Sequence, residues 1–216
     1  MSKIDRAYQP GDSPFIKAIK EERIEGIKKM LQQGASANFP TFSKVTPLMV
    51  AIVVGNVEIA SLLLEHGANP NECNDYGDTP LIIAAQEHNI EMLELLLQNK
   101  RTDVNQASRV DKETALALAV EKRDIDVVKM LLLYDADVNQ AMDNGDTPFI
   151  LAVKAGDVPF VEEMISRADL SKSFFLSEDL PNVTAAEIAT LKGSSAIIDI
   201  LQYEDNQDDL ELSGLS

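Results

Sequence analysis

The side chains able to do chemistry here are two histidines, one cysteine and a large supply of carboxylates. His66 precedes Gly67 at a helix end and His88 falls in a turn between two helices. Neither has a cysteine or a second histidine at metal-ligand spacing, so a polar turn role outweighs a ligand role. Cys73 stands alone, which rules out an internal disulfide and any cysteine-based zinc cluster. Its neighbours Glu72 and Asp75 make poor surroundings for a nucleophilic thiolate. The acidic turns NDYGD (74–78) and MDNGD (142–146) lack the D-x-[DN]-x-[DN]-G spacing and the distant glutamate of a calcium loop. Neither GxGxxG nor GxxxxGK[ST] occurs, so no phosphate cradle is expected. Asn182-Val183-Thr184 matches a glycosylation acceptor, but it also falls where a turn residue would precede a helix. A glycosidase-type acid/base pair would need two carboxylates facing each other with split pKa values, and no pair is singled out. Catalysis, a metal and a cofactor are therefore not expected.

The charge excludes further classes. With 19 Lys plus Arg against 36 Asp plus Glu, the 216-residue chain carries −17. Such a surface repels phosphate, which argues against nucleic acid and anionic lipid as partners. A hydrophobic content of 45% is that of a folded protein. The start, MSKIDRAYQPGDSP, has no apolar core and does not read as a signal peptide. The longest apolar run, Leu48 to Val54, is far short of the ~20 residues that span a bilayer. The reading is a cytoplasmic protein, monomeric when free.

The elements that position these residues come from a repeat. Segments start at Ser13, Thr46, Thr79, Thr114, Thr147 and Thr184, at spacings of 33, 33, 35, 33 and 37. Each reads as two short helices and a polar turn. Thr46, Thr79 and Thr147 suit the N-cap, and Pro47, Pro80 and Pro148 suit the first helical position, where no N–H is needed. Ala51, Ala84, Ala119 and Ala152 allow neighbouring helices to approach. Gly34 and Gly67 suit left-handed helix ends. Asn38, Asn71, Asn105 and Asn139 open the connector to the next repeat. Two short helices cannot bury their apolar faces alone, so neighbours must stack.

With TPLMVAIVVGNVEIASLLLEHGANPN from Thr46 and GDTPLIIAAQEHNIEMLELLL from Gly77, the chain resembles the ankyrin-repeat family over about Asp12 to Tyr203. The resemblance implies an all-α solenoid of stacked helix-turn-helix units with projecting β-hairpin-like fingers, a protein-binding role and no catalysis. The domain would span 12–203, with repeats near 13–45, 46–78, 79–113, 114–146, 147–183 and 184–203. Residues 1–11 form an extension and 204–216 an acidic tail. The histidine of the family pattern is replaced throughout, by Ile16, Met49, Ile82, Ala117, Ile150 and Glu187, so apolar packing is expected where it usually hydrogen bonds. Extra residues fall around Asn99 to Asp111 and within Leu170 to Val183. The first repeat fits an N-terminal cap, and the sixth, with Glu187 and Lys192, a C-terminal one.

Partners of such stacks touch finger tips and inner-helix ends. By repeat alignment the candidates are Phe39, Phe42 and Val45 with Val53 and Val54, then Asp75, Tyr76 and Asp78 with Glu87. Asp111 and Glu113 with Glu121 follow, and then Asp143, Asn144 and Asp146. Exposed aromatics are typical anchors, and a row of carboxylates steers a basic partner. Phe174 and Phe175 in the long fifth connector either insert into a partner or cover the end of the core. The resulting expectation is a partner protein with a basic patch, bound by a non-catalytic module. An inhibitor or immunity-type protein that occludes an enzyme's active site is one alternative. A secreted effector or scaffold is another, and a carboxylate-dependent enzyme ranks last.

Overall fold

The structure, a computed structural model, describes residues 13–41, 43–170 and 183–203. The chain divides into two compact units, Met1–Val110 and Asp111–Ser216, and the division falls within the two-residue insertion of the third repeat. In the N-terminal unit α1 (Pro14–Lys20), α3 (Pro47–Val54) and α5 (Pro80–Gln86) are the inner helices. Their outer partners are α2 (Ile24–Gln32), α4 (Val57–Glu65) and α6 (Ile90–Gln98). In the C-terminal unit the inner helices are α7 (Ala115–Glu121), α9 (Pro148–Ala155) and α11 (Ala185–Lys192). Their partners are α8 (Ile125–Leu133), α10 (Val158–Met164) with a 3-10 turn at Ile165–Arg167, and a helix over residues 195–203, α12.

Every inner helix starts in the same way. The hydroxyls of Ser13, Thr46, Thr79, Thr114, Thr147 and Thr184 accept the backbone N–H three residues on, at 3.1–3.3 Å. Such a cap is worth about 1 kcal/mol. Pro14, Pro47, Pro80 and Pro148 follow, as expected of residues that donate no N–H. Outer helices start on Asn56, Asn89 and Asp124, each accepting the N–H of the third residue on. These helices are 7–9 residues long, well below the ~12–15 at which an isolated helix becomes even marginal in water. Packing has to hold them.

In the N-terminal unit α1 packs on α3 and α3 on α5, while α4 packs on α6. Ile19, Ile27, Leu48, Ile52, Ile59, Leu63, Ile82, Ile83 and Met92 are fully buried between them. In the C-terminal unit α7 packs on α9 and α9 on α11, with α8 against α10, around Val127, Leu131, Phe149, Ile150, Val161 and Ile188. Ala51, Ala84, Ala119 and Ala152 are all buried where inner helices meet. The fold is all-α, and among the described residues the fingers are turns rather than strand pairs.

At the position of the missing histidine, Ile16, Met49, Ile82, Ala117 and Ile150 are buried. The expected switch to pure apolar packing holds only in part. Met49 Sδ accepts the Thr46 N–H at 3.4 Å, and a Glu187 carboxylate oxygen accepts the Thr184 N–H at 2.7 Å and the Thr184 hydroxyl at 3.1 Å. On α11 Ala186, Glu187 and Thr190 are exposed, whereas their counterparts on α9, Phe149, Ile150 and Val153, are buried. The sixth repeat thus carries a polar face of the kind a C-terminal cap requires.

Left-handed backbone is confined to three repeat positions among the described residues. After the inner helix come Glu22, Gly55, His88, Arg123, Gly156 and Gly193. After the outer helix come Gly34, Gly67 and Asp135. At the finger tip come Lys44, Gly77, Lys112 and Gly145. His88 is accordingly a turn residue.

A Cβ at Gly67 meets nothing within 4 Å, whereas at Gly77 it would overlap the Arg109 backbone nitrogen. Gly67→Ala should therefore cost only the left-handed penalty, about 1–2 kcal/mol, and Gly77→Ala clearly more, as read from urea unfolding. The Thr184 N–H, and then its hydroxyl, hold the Glu187 carboxyl below its ordinary range. A lowered folded value means that the contribution is complete above the unfolded value of about 4.3 and disappears as pH falls through the folded one. The stability gap between wild type and Glu187→Gln should close below that pH, as followed by acid titration of the unfolding midpoint.

Candidate functional site

Three asparagines place the fingers. Asn38 Nδ2 donates to Gly67 O at 2.9 Å while its Oδ1 accepts the Asn69 N–H at 2.7 Å. Asn71 treats Arg101 O (2.7 Å) and Asp103 N–H (2.9 Å) alike, and Asn139 does the same with Arg167 O (2.8 Å) and Asp169 N–H (2.7 Å). Each amide thus satisfies one acceptor and one donor of the following repeat's main chain. Ser36, Asn69 and Asp137 in turn accept the main-chain N–H of these asparagines two residues on. The sequence reading found the series but saw only a turn former in it. The 33-residue recurrence is the signal that could have shown more.

Two arginines add to the same work across repeats. Arg101 stands at the repeat position of Gly67 and donates to Leu64 O (3.2 Å) and Ala68 O (3.0 Å) at the end of α4. Arg167, at the equivalent place, donates to Leu132 O at 2.6 Å at the end of α8. These charge-assisted bonds serve carbonyls at the ends of the preceding repeat's outer helices, beside the left-handed turns at Gly67 and Asp135.

On this frame the finger tips close. The Thr41 N–H donates to Val45 O (2.9 Å), the Asn74 N–H to Asp78 O (3.1 Å) and the Met142 N–H to Asp146 O (2.8 Å). Successive tips are also joined. Asp75 N–H donates to Ser43 O at 3.2 Å and Asp143 N–H to Asp111 O at 3.0 Å. Beside these bonds Lys44 pairs with Asp75 at 3.5 Å and Lys112 with Asp143 at 3.1 Å. Both pairs are about half exposed and worth under about 1 kcal/mol each, yet they remove two carboxylates from the acidic row expected of the fingers.

The structure sorts the remaining candidates. Phe39 is 71% exposed and Tyr76 37% exposed, and Val110, between them and the unit boundary in sequence, is 66% exposed. Val53 and Val54 are half-buried at the end of α3, and Glu87, Asp111, Glu121, Asp143 and Asn144 are exposed. Glu113 is half-buried, and both it and Asp111 are engaged in interactions of their own. Three expectations of exposure are overturned: Val45, Asp78 and Asp146 are buried. Each directly precedes an N-cap threonine, a place that turns the side chain in against the inner helix. Asp78 receives Asn74 Nδ2 at 3.3 Å, and Asp146 pairs with Lys154 of α9 at 2.5 Å. Phe42, Phe174 and Phe175 lie outside the described residues.

Among the described residues no group of three or more His, Cys, Asp and Glu side chains is placed to hold a metal ion. No described helix is long and apolar enough to cross a membrane. Cys73 is buried, with the Gln106 amide 3.3 Å from its sulfur.

A family model for ankyrin repeats in three copies matches residues 67–142 and 116–211, and one for ankyrin repeats in many copies matches residues 30–84. The chain belongs to the ankyrin-repeat family, whose members are in general protein–protein interaction modules. No curated protein matches the chain.

Asn71→Ala should destabilise the N-terminal unit by about 1–3 kcal/mol, since it strands one main-chain donor and one acceptor. Asn71→Asp, which can still accept the Asp103 N–H but cannot donate to Arg101 O, should fall between the two in chemical denaturation.

Proposed function

We propose that this chain binds a partner protein through its finger tips and inner-helix ends, without catalysis of its own. The observation that carries this reading is the set of exposed apolar side chains on ordered turns of the N-terminal unit, Phe39, Tyr76 and Val110. Val53 and Val54 are half-buried on an inner helix of the same unit. Apolar and aromatic groups held out on tied tips supply contact area at little further ordering cost.

The partner would present basic side chains. Glu87 and Glu121 stand exposed at inner-helix ends. The pair Asp146–Lys154 supports the same chemistry from within the chain. There a lysine at the eighth residue of the repeat meets the carboxylate just before the N-cap. Glu121 holds the position of Lys154 in the fourth repeat and stands exposed, so a lysine or arginine brought by the partner would pair with it. Where the partner is an enzyme, covering its surface makes this chain a stoichiometric inhibitor. The free chain is proposed to be monomeric.

The test is capture on the immobilised full chain, identification by mass spectrometry, and calorimetric titration of the captured protein. Phe39→Ala with Tyr76→Ala, and separately Glu121→Lys, should each weaken binding at least tenfold (about 1.4 kcal/mol) with the unfolding midpoint nearly unchanged. Unaltered affinity in both would overturn the assigned face. Loss of the captured enzyme's activity at one equivalent would support inhibition, and full activity in the complex would refute it.

A further inference from the structure

The MDNGD tip of the fourth finger contains the only Asn-Gly step in the sequence, Asn144-Gly145. Asn144 is exposed, and Gly145 has φ +83° and carries no side chain to shield its nitrogen. We infer that Asn144 is a site of spontaneous conversion to aspartate and isoaspartate, gated by opening of this finger. The backbone nitrogen of Gly145, on losing its proton, attacks Asn144 Cγ. A N–Cγ bond forms, the Cγ–Nδ2 bond breaks, and ammonia leaves with the proton, giving a five-membered succinimide. Water then opens the ring at one of its two carbonyls. Opening at the side-chain carbonyl yields aspartate, and opening at the main-chain carbonyl yields isoaspartate. Water is the sole co-reactant and nothing is oxidised or reduced.

The closed finger holds every reacting group out of place. Gly145 N–H donates to Met142 O at 2.9 Å. Asn144 Oδ1 accepts the Asp146 N–H at 2.9 Å and Nδ2 lies 3.3 Å from Asp146 Oδ2. Asp146 is itself held by Lys154 at 2.5 Å. Attack requires these bonds to part together, so the conversion rate reads how often the tip opens. The product replaces a donor to Asp146 with a second carboxylate and, as isoaspartate, lengthens the main chain inside a tip closed by the bond from Met142 N to Asp146 O. Once made, it keeps the finger from closing. The second finger is a built-in control. Its tip has the same closure, from Gly77 N–H to Asn74 O at 3.0 Å, but Tyr76 stands where Asn144 does.

The full chain is incubated at mildly alkaline pH and physiological temperature, and isoaspartate is located by peptide mapping and enzymatic methylation. Hydrogen exchange of the Gly145 and Asp146 amides is followed in parallel. Conversion is expected at residue 144, several-fold faster in Lys154→Ala, fastest in the urea-unfolded chain, and lost in Asn144→Gln. An amide that stays intact at 144 in the folded chain while the unfolded chain converts would overturn the site. Equal conversion in wild type and Lys154→Ala, with the exchange of those amides accelerated in the variant, would overturn the gating.

Discussion

The junctions at Asn38, Asn71 and Asn139 each turn on one primary amide that both gives and takes a main-chain hydrogen bond. Helices of 7–9 residues do not persist alone, and apolar packing is tolerant of small slips along and between helices. The amides of Asn38, Asn71 and Asn139 are not tolerant. Each fits only where a carbonyl and an N–H of the next repeat, two residues apart, arrive together. Packing supplies the free energy, and the asparagines supply the register in which successive fingers come side by side. The Lys44–Asp75 pair lies at the junction that Asn38 registers.

The charge of −17 is what remains after every lysine and arginine is counted, so ion pairing changes where the excess acids lie and not their number. Several carboxylates at the positions expected to form an acidic face are answered inside the chain, by lysines of the preceding tip or of the inner helix behind. Asp157, a largely buried carboxylate, likewise meets Arg123 at 2.7 Å. What is left facing outward is a mixture of apolar groups on the fingers and scattered acids at the helix ends.

Periodicity made most of the fold legible. The N-cap hydroxyls, the prolines at the helix starts, the buried alanines and the glycine turns lie where a 33-residue period puts them, because each answers a local demand of the backbone that residue type alone reveals. Val45, Asp78 and Asp146 were misread because one position, just before the N-cap, faces the inner helix although it reads as finger in a linear alignment. Asp146, for one, is met by Lys154 eight residues on, a relation no helical or strand period encodes. Arg101 and Arg167 were missed for a similar reason. Their partners lie more than thirty residues back, a separation that no local pattern around the arginine reports. The division of the chain within the third connector was legible only as an insertion.

The exposed face of α11 has a consequence for assembly. A stack of repeats has no geometric reason to stop: the side of one helix pair that accepts the next would accept the first pair of another molecule equally well. Head-to-tail contact of that kind does not close on itself and grows into fibres. Ala186, Glu187 and Thr190, exposed where the preceding inner helix buries Phe149, Ile150 and Val153, cut back the apolar surface such growth needs, leaving Leu191 as the large apolar side chain exposed on that helix. Three polar or small side chains thus make this end of the stack a poorer template than any face within it.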